Sequence, residues 1–225
     1  SNFDIYPRPE YIIQDEQGNY WHNLQGIHKE NSDTPLEKWG MTPSNQYSFS
    51  WLPPVIDYNK NKIWLFRSKV GAVSASNLDG TYISVYDDPI TAPILKNRIT
   101  TYAMEKLTNI AWVGTTAGLA RLNGKVWTTF DLSNSKIDKE FITSILLSGS
   151  IAWIGTTNGL VRFDGTEWTR FTPQNSSIPA RLTRVMAVET DGSVWVGLSK
   201  DSTIAIDDWV HFEPKTMIGL AKFDG

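Results

Sequence analysis

An all-β fold, a β-propeller of about five four-stranded blades, is the class this sequence predicts, and three observations predict it. A pattern of some twenty residues occurs twice in near-identical form. Five tryptophans recur at an almost constant period. Short β-branched and aromatic runs are punctuated throughout by Gly and Asp-Gly, the mark of strands joined by tight turns.

The repeated pattern runs Ala111-Trp-Val-Gly-Thr-Thr-Ala-Gly-Leu-Ala-Arg-Leu-Asn-Gly-Lys-Val-Trp-Thr-Thr-Phe130. It returns 41 residues later as Ala152-Trp-Ile-Gly-Thr-Thr-Asn-Gly-Leu-Val-Arg-Phe-Asp-Gly-Thr-Glu-Trp-Thr-Arg-Phe171. Weaker copies follow the same grammar. Asp15-Glu-Gln-Gly-Asn-Tyr-Trp21 opens one, and Lys62-Ile-Trp64 leads to Leu78-Asp-Gly-Thr-Tyr82 in another. Asp191-Gly-Ser-Val-Trp-Val-Gly197 leads to Gly219-Leu-Ala-Lys-Phe-Asp-Gly225 in the last. The equivalent tryptophans are Trp21, Trp64, Trp112, Trp153 and Trp195, spaced 43, 48, 41 and 42 residues apart. That period suits one propeller blade of four strands, and the whole chain, residues 1–225, reads as one domain.

Within a blade the elements follow in order, most clearly in the fourth. Strand one is expected at Phe141 to Leu147, strand two at Ile151 to Gly155 and strand three at Leu160 to Phe163. An Asp164-Gly165 turn then feeds strand four, Glu167 to Phe171. Asp-Gly suits turns that need a positive φ, which Gly reaches without a Cβ penalty. The strand-two tryptophan is read as packing, one large side chain per blade filling the wedge between neighbouring sheets. The last copy stops at Phe223-Asp-Gly225, where a fourth strand should begin. Residues 3–6 supply the missing phase, with Phe3 aligning on Trp168 and Tyr6 on Phe171. They are expected to close the last blade; in the other reading, they end a preceding blade of a longer propeller.

Composition narrows the function classes. Twenty-one basic and 24 acidic residues are interspersed for a formal charge of −3, without the basic stripe that phosphate neutralisation requires, so nucleic acid is not an expected partner. No apolar run approaches the ~20 residues that span a bilayer, so no membrane span is expected within the chain. Zero cysteines exclude disulfides, thiolate zinc sites and cysteine nucleophiles.

The W-[IV]-G-T-x-x-G-L-x-R-x-[DN]-G-x-x-W-T-x-[FY] pattern at Trp112 to Phe130 and Trp153 to Phe171 resembles the two-component regulator propeller repeat of bacterial sensor proteins. The resemblance implies a periplasmic or extracellular ligand-sensing domain of a hybrid two-component or surface system. It also implies a small molecule or oligosaccharide, such as a glycan fragment, as ligand. This sequence departs from such proteins in showing five copies rather than seven and in carrying no kinase, receiver or DNA-binding segment.

In a propeller the blade connections and the loops between strands two and three lie on one face, and ligands bind there. Asp87 to Asn97, Asp131 to Glu140 and Pro173 to Ala180 are the long polar connections. The Trp-to-Gly spacing is six residues in blades three and four but 24 in the last, an insertion of 18 around Asp201 to Ile218. If extended, it puts Asp207, Trp209, His211 and Glu213 on one side and Val210 and Phe212 on the other, a set suited to stacking a sugar and binding its hydroxyls. In the alternative reading the insertion only lids the channel or packs on a neighbouring blade. Asp207, His211 and Glu213 have acceptable ligand types for zinc or iron, but one strand with no second cluster makes a poor metal site, and no metal or other cofactor is expected. Arg67, Arg98, Arg181 and Arg184 fall near the ends of strands one or two, where a guanidinium could grip an anionic sugar or carboxylate. His22 and His28 read as blade-surface residues.

Enzymatic signatures are lacking: there is no Gly-x-Ser-x-Gly elbow, phosphate loop or His-Glu-x-x-His. Strand one of the central blades brings Thr100, Thr101, Thr143 and Ser144 toward the axis, leaving Glu10 and Asp57 as the candidate channel carboxylates. No catalytic residue is therefore assigned, and a non-catalytic ligand-binding propeller is the first expectation. A propeller lyase or glycosidase acting on a polysaccharide is the alternative, and a module that binds a protein partner is the third reading.

Overall fold

β-branched and aromatic runs a few residues long, each closed by a Gly, Asn or Asp turn, can pair only with their sequence neighbours, and antiparallel meanders result. The computed structural model describes residues 12–22, 28–29, 51–57, 59–67, 72–78, 83–85, 93–105, 108, 110–199 and 217–224. Apart from one short 3-10 turn at Pro93–Lys96, their regular structure is all strand. The chain divides into two compact units, Ser1–Asp87 and Asp88–Gly225.

The first unit holds two antiparallel sheets. Strands β1 (Ile12–Gln14), β2 (Tyr20–His22) and β3 (His28–Lys29) form one, with Trp21 on its middle strand. The β1–β2 turn is tied by Asp15, whose carboxylate accepts hydrogen bonds from the backbone N–H of Gln17 and Asn19 at 2.9 and 2.8 Å. The second sheet runs β4 (Trp51–Asp57), β5 (Lys62–Arg67), β6 (Ala72–Asn77) and β7 (Ile83–Val85) in that order, and Trp64 is buried on its second strand. The β4–β5 register shifts between Leu52 and Val55, which flank Pro53 and Pro54. Proline has no N–H for the ladder and is tolerated here because β4 is an outer strand of the sheet.

The second unit repeats one meander. Strands β8 (Ile99–Glu105), β9 (Ile110–Thr115), β10 (Gly118–Asn123) and β11 (Val126–Phe130) make the first sheet. The second contains β12 (Ile142–Ser148), β13 (Ile151–Thr156), β14 (Gly159–Phe163) and β15 (Trp168–Phe171). The third contains β16 (Leu182–Val188), β17 (Val194–Ser199) and β18 (Met217–Phe223). The four strands expected of the fourth blade are all present within a residue or two of their bounds. The first strands β8, β12 and β16 lie beside one another, so successive sheets stack face to face as propeller blades do. Residues 3–6, expected to complete the last sheet, lie outside the described residues.

The two sheet-to-sheet contacts of the second unit are built on the repeated tryptophan. Trp112 is 1% exposed; it stacks on Phe130 at 5.4 Å and meets Trp168 of the next sheet edge-on at 6.3 Å. Around it pack Leu119, Ile142, Ile154 and Val161. Trp153, 3% exposed, meets Phe171 of its own sheet and Phe223 of the following one, over Ile178, Val194 and Val196. The packing reading therefore holds at these positions; Trp64 is buried as well, but Trp195 departs from it at 36% exposed. Leu220, equivalent to the wholly buried Leu119 and Leu160, is 60% exposed on the same face. Both departures have one cause: among the described residues of this unit no sheet follows β16–β18 to cover that face.

The glycines two residues after Trp112 and Trp153 serve the same contacts. A Cβ on Gly155 would lie 2.5 Å from Ser144 Oγ and 2.6 Å from the Thr183 carbonyl, and one on Gly114 would lie 2.6 Å from Ile142 Cγ2. Only a residue without a side chain lets the next first strand pass so close. Hydroxyls then staple the strands: Thr100 Oγ1 donates to the Ile142 carbonyl at 2.6 Å, and Thr143 Oγ1 donates to that of Thr183.

Candidate functional site

In the second unit, every first strand begins at the end where the blades connect, and backbone hydrogen bonds tie the turn between strands two and three to that same end. The N–H of Thr116 donates to the Arg98 carbonyl at 3.0 Å, that of Thr157 to Phe141 at 3.2 Å, and that of Gly159 to Arg181 at 2.6 Å. The expectation that connections and second turns share one end is thus met in this unit. Ser199 and Met217, the latter already within the inserted stretch, also pair at this end, opposite the start of β16.

The connections themselves are self-braced. In the first, the N–H of Asp131 donates to Asn134 Oδ1 at 3.0 Å, while Asn134 Nδ2 donates to the Thr129 carbonyl at 3.0 Å. In the second, the N–H of Thr172 donates to Asn175 Oδ1 at 2.7 Å, and Asn175 Nδ2 donates to the Arg170 carbonyl at 2.9 Å. An asparagine side chain that mimics a backbone turn fixes each loop at the same place. Asp131 also accepts from the hydroxyl and N–H of Ser133, which hold its carboxyl below the usual carboxylate range, helped by Lys139.

Two arginines converge on the Thr156–Gly159 turn. Arg170, from β15, forms an ion pair with Glu140, which is 7% exposed at the side chain, and donates to the carbonyls of Lys136 and Asn158. Its charge is neutralised, and its job is to clamp connection to turn. Arg181, one residue before β16, is exposed; Nη1 donates to Asn158 Oδ1 and Nη2 to Gln174 Oε1 at 2.9 Å. Both acceptors are neutral amides. Among the described residues no carboxylate pairs with the guanidinium, which is held in place with donors left over, an arrangement suited to an oxyanion.

Of the other residues singled out in the sequence, Arg98 lies half-buried at the position equivalent to Arg181 in the β8–β11 sheet. Arg184 is exposed on β16 opposite Gly197, on the uncovered face with Trp195 and not in a loop. Arg67 ends β5 in the first unit. Asp207, Trp209, His211 and Glu213 lie outside the described residues, as does Glu10. Asp57 is not at the connection end: it closes β4 at the opposite turn, accepting from the N–H of Lys60 at 3.2 Å. Thr143 and Ser144 are buried, Thr143 donating to the Thr183 carbonyl of the following sheet. Among the described residues no group of three His, Asp or Glu is placed to hold a metal ion, and no helix is long and apolar enough to cross a membrane.

Sequence reasoning found Arg181 but missed Asn158, Gln174, Arg170 and Glu140. The bracing asparagines carried a signal, since Asn134 and Asn175 continue the 41-residue offset. Arg170 carried none, because Thr129 stands at its place in the preceding blade.

No protein-family model matches this chain, and no curated protein matches it. Solved structures match most of its length. The extracellular domain of the hybrid two-component system BT3049 from B. thetaiotaomicron is 22% identical, over 84% of this chain and 27% of that one, with a TM-score of 0.61. The extracellular domain of the one-component system BT4673 from the same organism is 17% identical, over 85% and 25%, with a TM-score of 0.57. An ancestral GH74 enzyme is 14% identical, over 88% and 28%, also at 0.57. The chain spans about a quarter of the length of these structures. At such identities the likeness establishes the fold alone: an all-β, propeller-like succession of antiparallel sheets.

Proposed function

We propose that this chain is a non-catalytic, ligand-sensing β-propeller domain that reads an anionic small molecule or oligosaccharide at the connection end of its sheets. One observation carries the reading: Arg181 is exposed, aligned by Asn158 and Gln174, and paired with no carboxylate among the described residues. The turn it grips is fixed from the other side by Arg170, so the guanidinium sits on a preorganised support and loses little freedom when it binds. A carboxylate-bearing sugar would take two charge-assisted hydrogen bonds from it. Placement in the periplasm or outside the cell agrees with the extracellular neighbours, and the signal would pass to a segment or protein partner beyond these sheets. In this reading residues 3–6 close the last sheet, and the chain works as one domain.

A glycan array carrying neutral and uronic-acid-containing oligosaccharides, followed by calorimetry on the hits, tests the proposal. Acidic glycans are expected to bind, and Arg181→Gln is expected to weaken them about tenfold or more, as loss of a hydrogen bond to a charged group implies. Binding confined to neutral glycans, or indifferent to Arg181→Gln, would overturn it. The GH74 neighbour favours a second reading, an enzyme acting on a polysaccharide. Against it, Glu140 is committed to Arg170 and Asp131 to Ser133. Cleavage of a bound glycan during prolonged incubation would decide for the enzyme.

A further inference from the structure

We propose that Asn123 is a site of spontaneous deamidation, and that its aspartate product completes on β10 the arginine–aspartate pair that β14 already carries. The sequence holds two Asn-Gly pairs, Asn123-Gly124 and Asn158-Gly159. In such a pair the glycine backbone nitrogen attacks the asparagine Cγ with no Cβ in its way. A C–N bond forms, the Cγ–Nδ2 bond breaks, ammonia leaves, and water opens the resulting succinimide to aspartate or isoaspartate. Asparagine is among the thermolabile residues for this reason.

The structure separates the two pairs. Asn123 is exposed at the end of β10, one ladder rung from the turn, where it pairs with Val126. Gly124 has φ +61° and nothing within 4 Å of its Cβ position, so the turn has room to rearrange. Asn158-Gly159 is bound on every side. The Gly159 nitrogen donates its hydrogen to the Arg181 carbonyl at 2.6 Å, the Asn158 carbonyl accepts from Arg170 at 2.7 Å, and the amide oxygen accepts from Arg181. Nucleophile and target are both held away from attack.

The product has a template 41 residues on. Asp164 accepts from the N–H groups of Thr166 and Glu167 at 3.0 and 2.8 Å and pairs with Arg162 at 3.2 Å. Arg121, equivalent to Arg162, lies over Trp112 at 5.3 Å, and its buried Nε has no hydrogen-bond partner. A carboxylate at position 123 gives this guanidinium the anion its counterpart has.

Peptide mapping by mass spectrometry, on chain aged in mildly alkaline buffer, tests the assignment. Conversion is expected at Asn123 and not at Asn158 in the folded chain, and at both in denaturant. Equal conversion of the two in the folded chain, or conversion of Asn123 no faster than that of Asn134, would overturn it. The Asn123→Asp variant is expected to melt at a higher temperature than the parent; an unchanged or lowered melting temperature would overturn the pairing.

Discussion

Asp191 shows how a single exposed side chain shapes the acid behaviour of the molecule. Its carboxylate accepts from the hydroxyl and N–H of Ser193 and, at 3.3 Å, from Lys222. The Ser193 bonds come first among the causes that lower its pKa from 3.8 to about 2. A carboxyl depressed in the folded state stabilises the fold above its ordinary pKa and loses that contribution as the pH falls through the folded value. The melting temperature should therefore fall between about pH 4 and pH 2, with Asp131 and Asp164 contributing in the same direction. Asp191→Ala should flatten that limb, and added salt should leave most of it, because hydrogen bonds outrank the screenable lysine. An unaltered limb in the variant would show that the Ser193 bonds contribute nothing. The glycines of the repeat were legible as a pattern; their cause was not, since the close approach of the next first strand exists only after the sheets have stacked.

At the scale of elements, the strands were readable because period, turn residues and β-branched runs all point to one meander. The burial of their faces was not, because it depends on what each sheet packs against. Trp112 and Trp195 are equivalent in sequence and each donates to a glutamate, Glu105 or Glu189, yet they differ in surroundings, one beneath Trp168 and Ile142, the other in contact with solvent. Trp112→Ala should cost about 3–5 kcal/mol by denaturant unfolding, the range for aromatic truncation in a core. Trp195→Ala should cost well under half of that. Equal costs would mean that the face of β16–β18 is covered as its predecessors are. The connections were read as long and polar stretches; the 41-residue offset of Asn134 and Asn175 marked them as equivalent, but their bracing role is a matter of side-chain geometry, which the offset does not carry.

At the largest scale, the two ends of the second unit's sheets are unequal. One end carries self-braced connections, the clamped Thr156–Gly159 turn and the open charge of Arg181; the other carries short turns such as Asp164 to Glu167, closed by their own hydrogen bonds. Function is expected at the first, where rigid support and unspent donors coincide. Sequence reasoning located that end from its long connections and the 18-residue insertion, but placed half of its candidate residues on that insertion, where period-two alternation was the guide to which side chains share a side. Hydrogen–deuterium exchange, recorded with and without an acidic oligosaccharide that binds, measures the choice of end directly. Added protection should appear in residues 131–141, 156–159 and 172–181 and be absent from residues 148–151 and 164–167, whereas protection confined to those opposite turns would contradict the account.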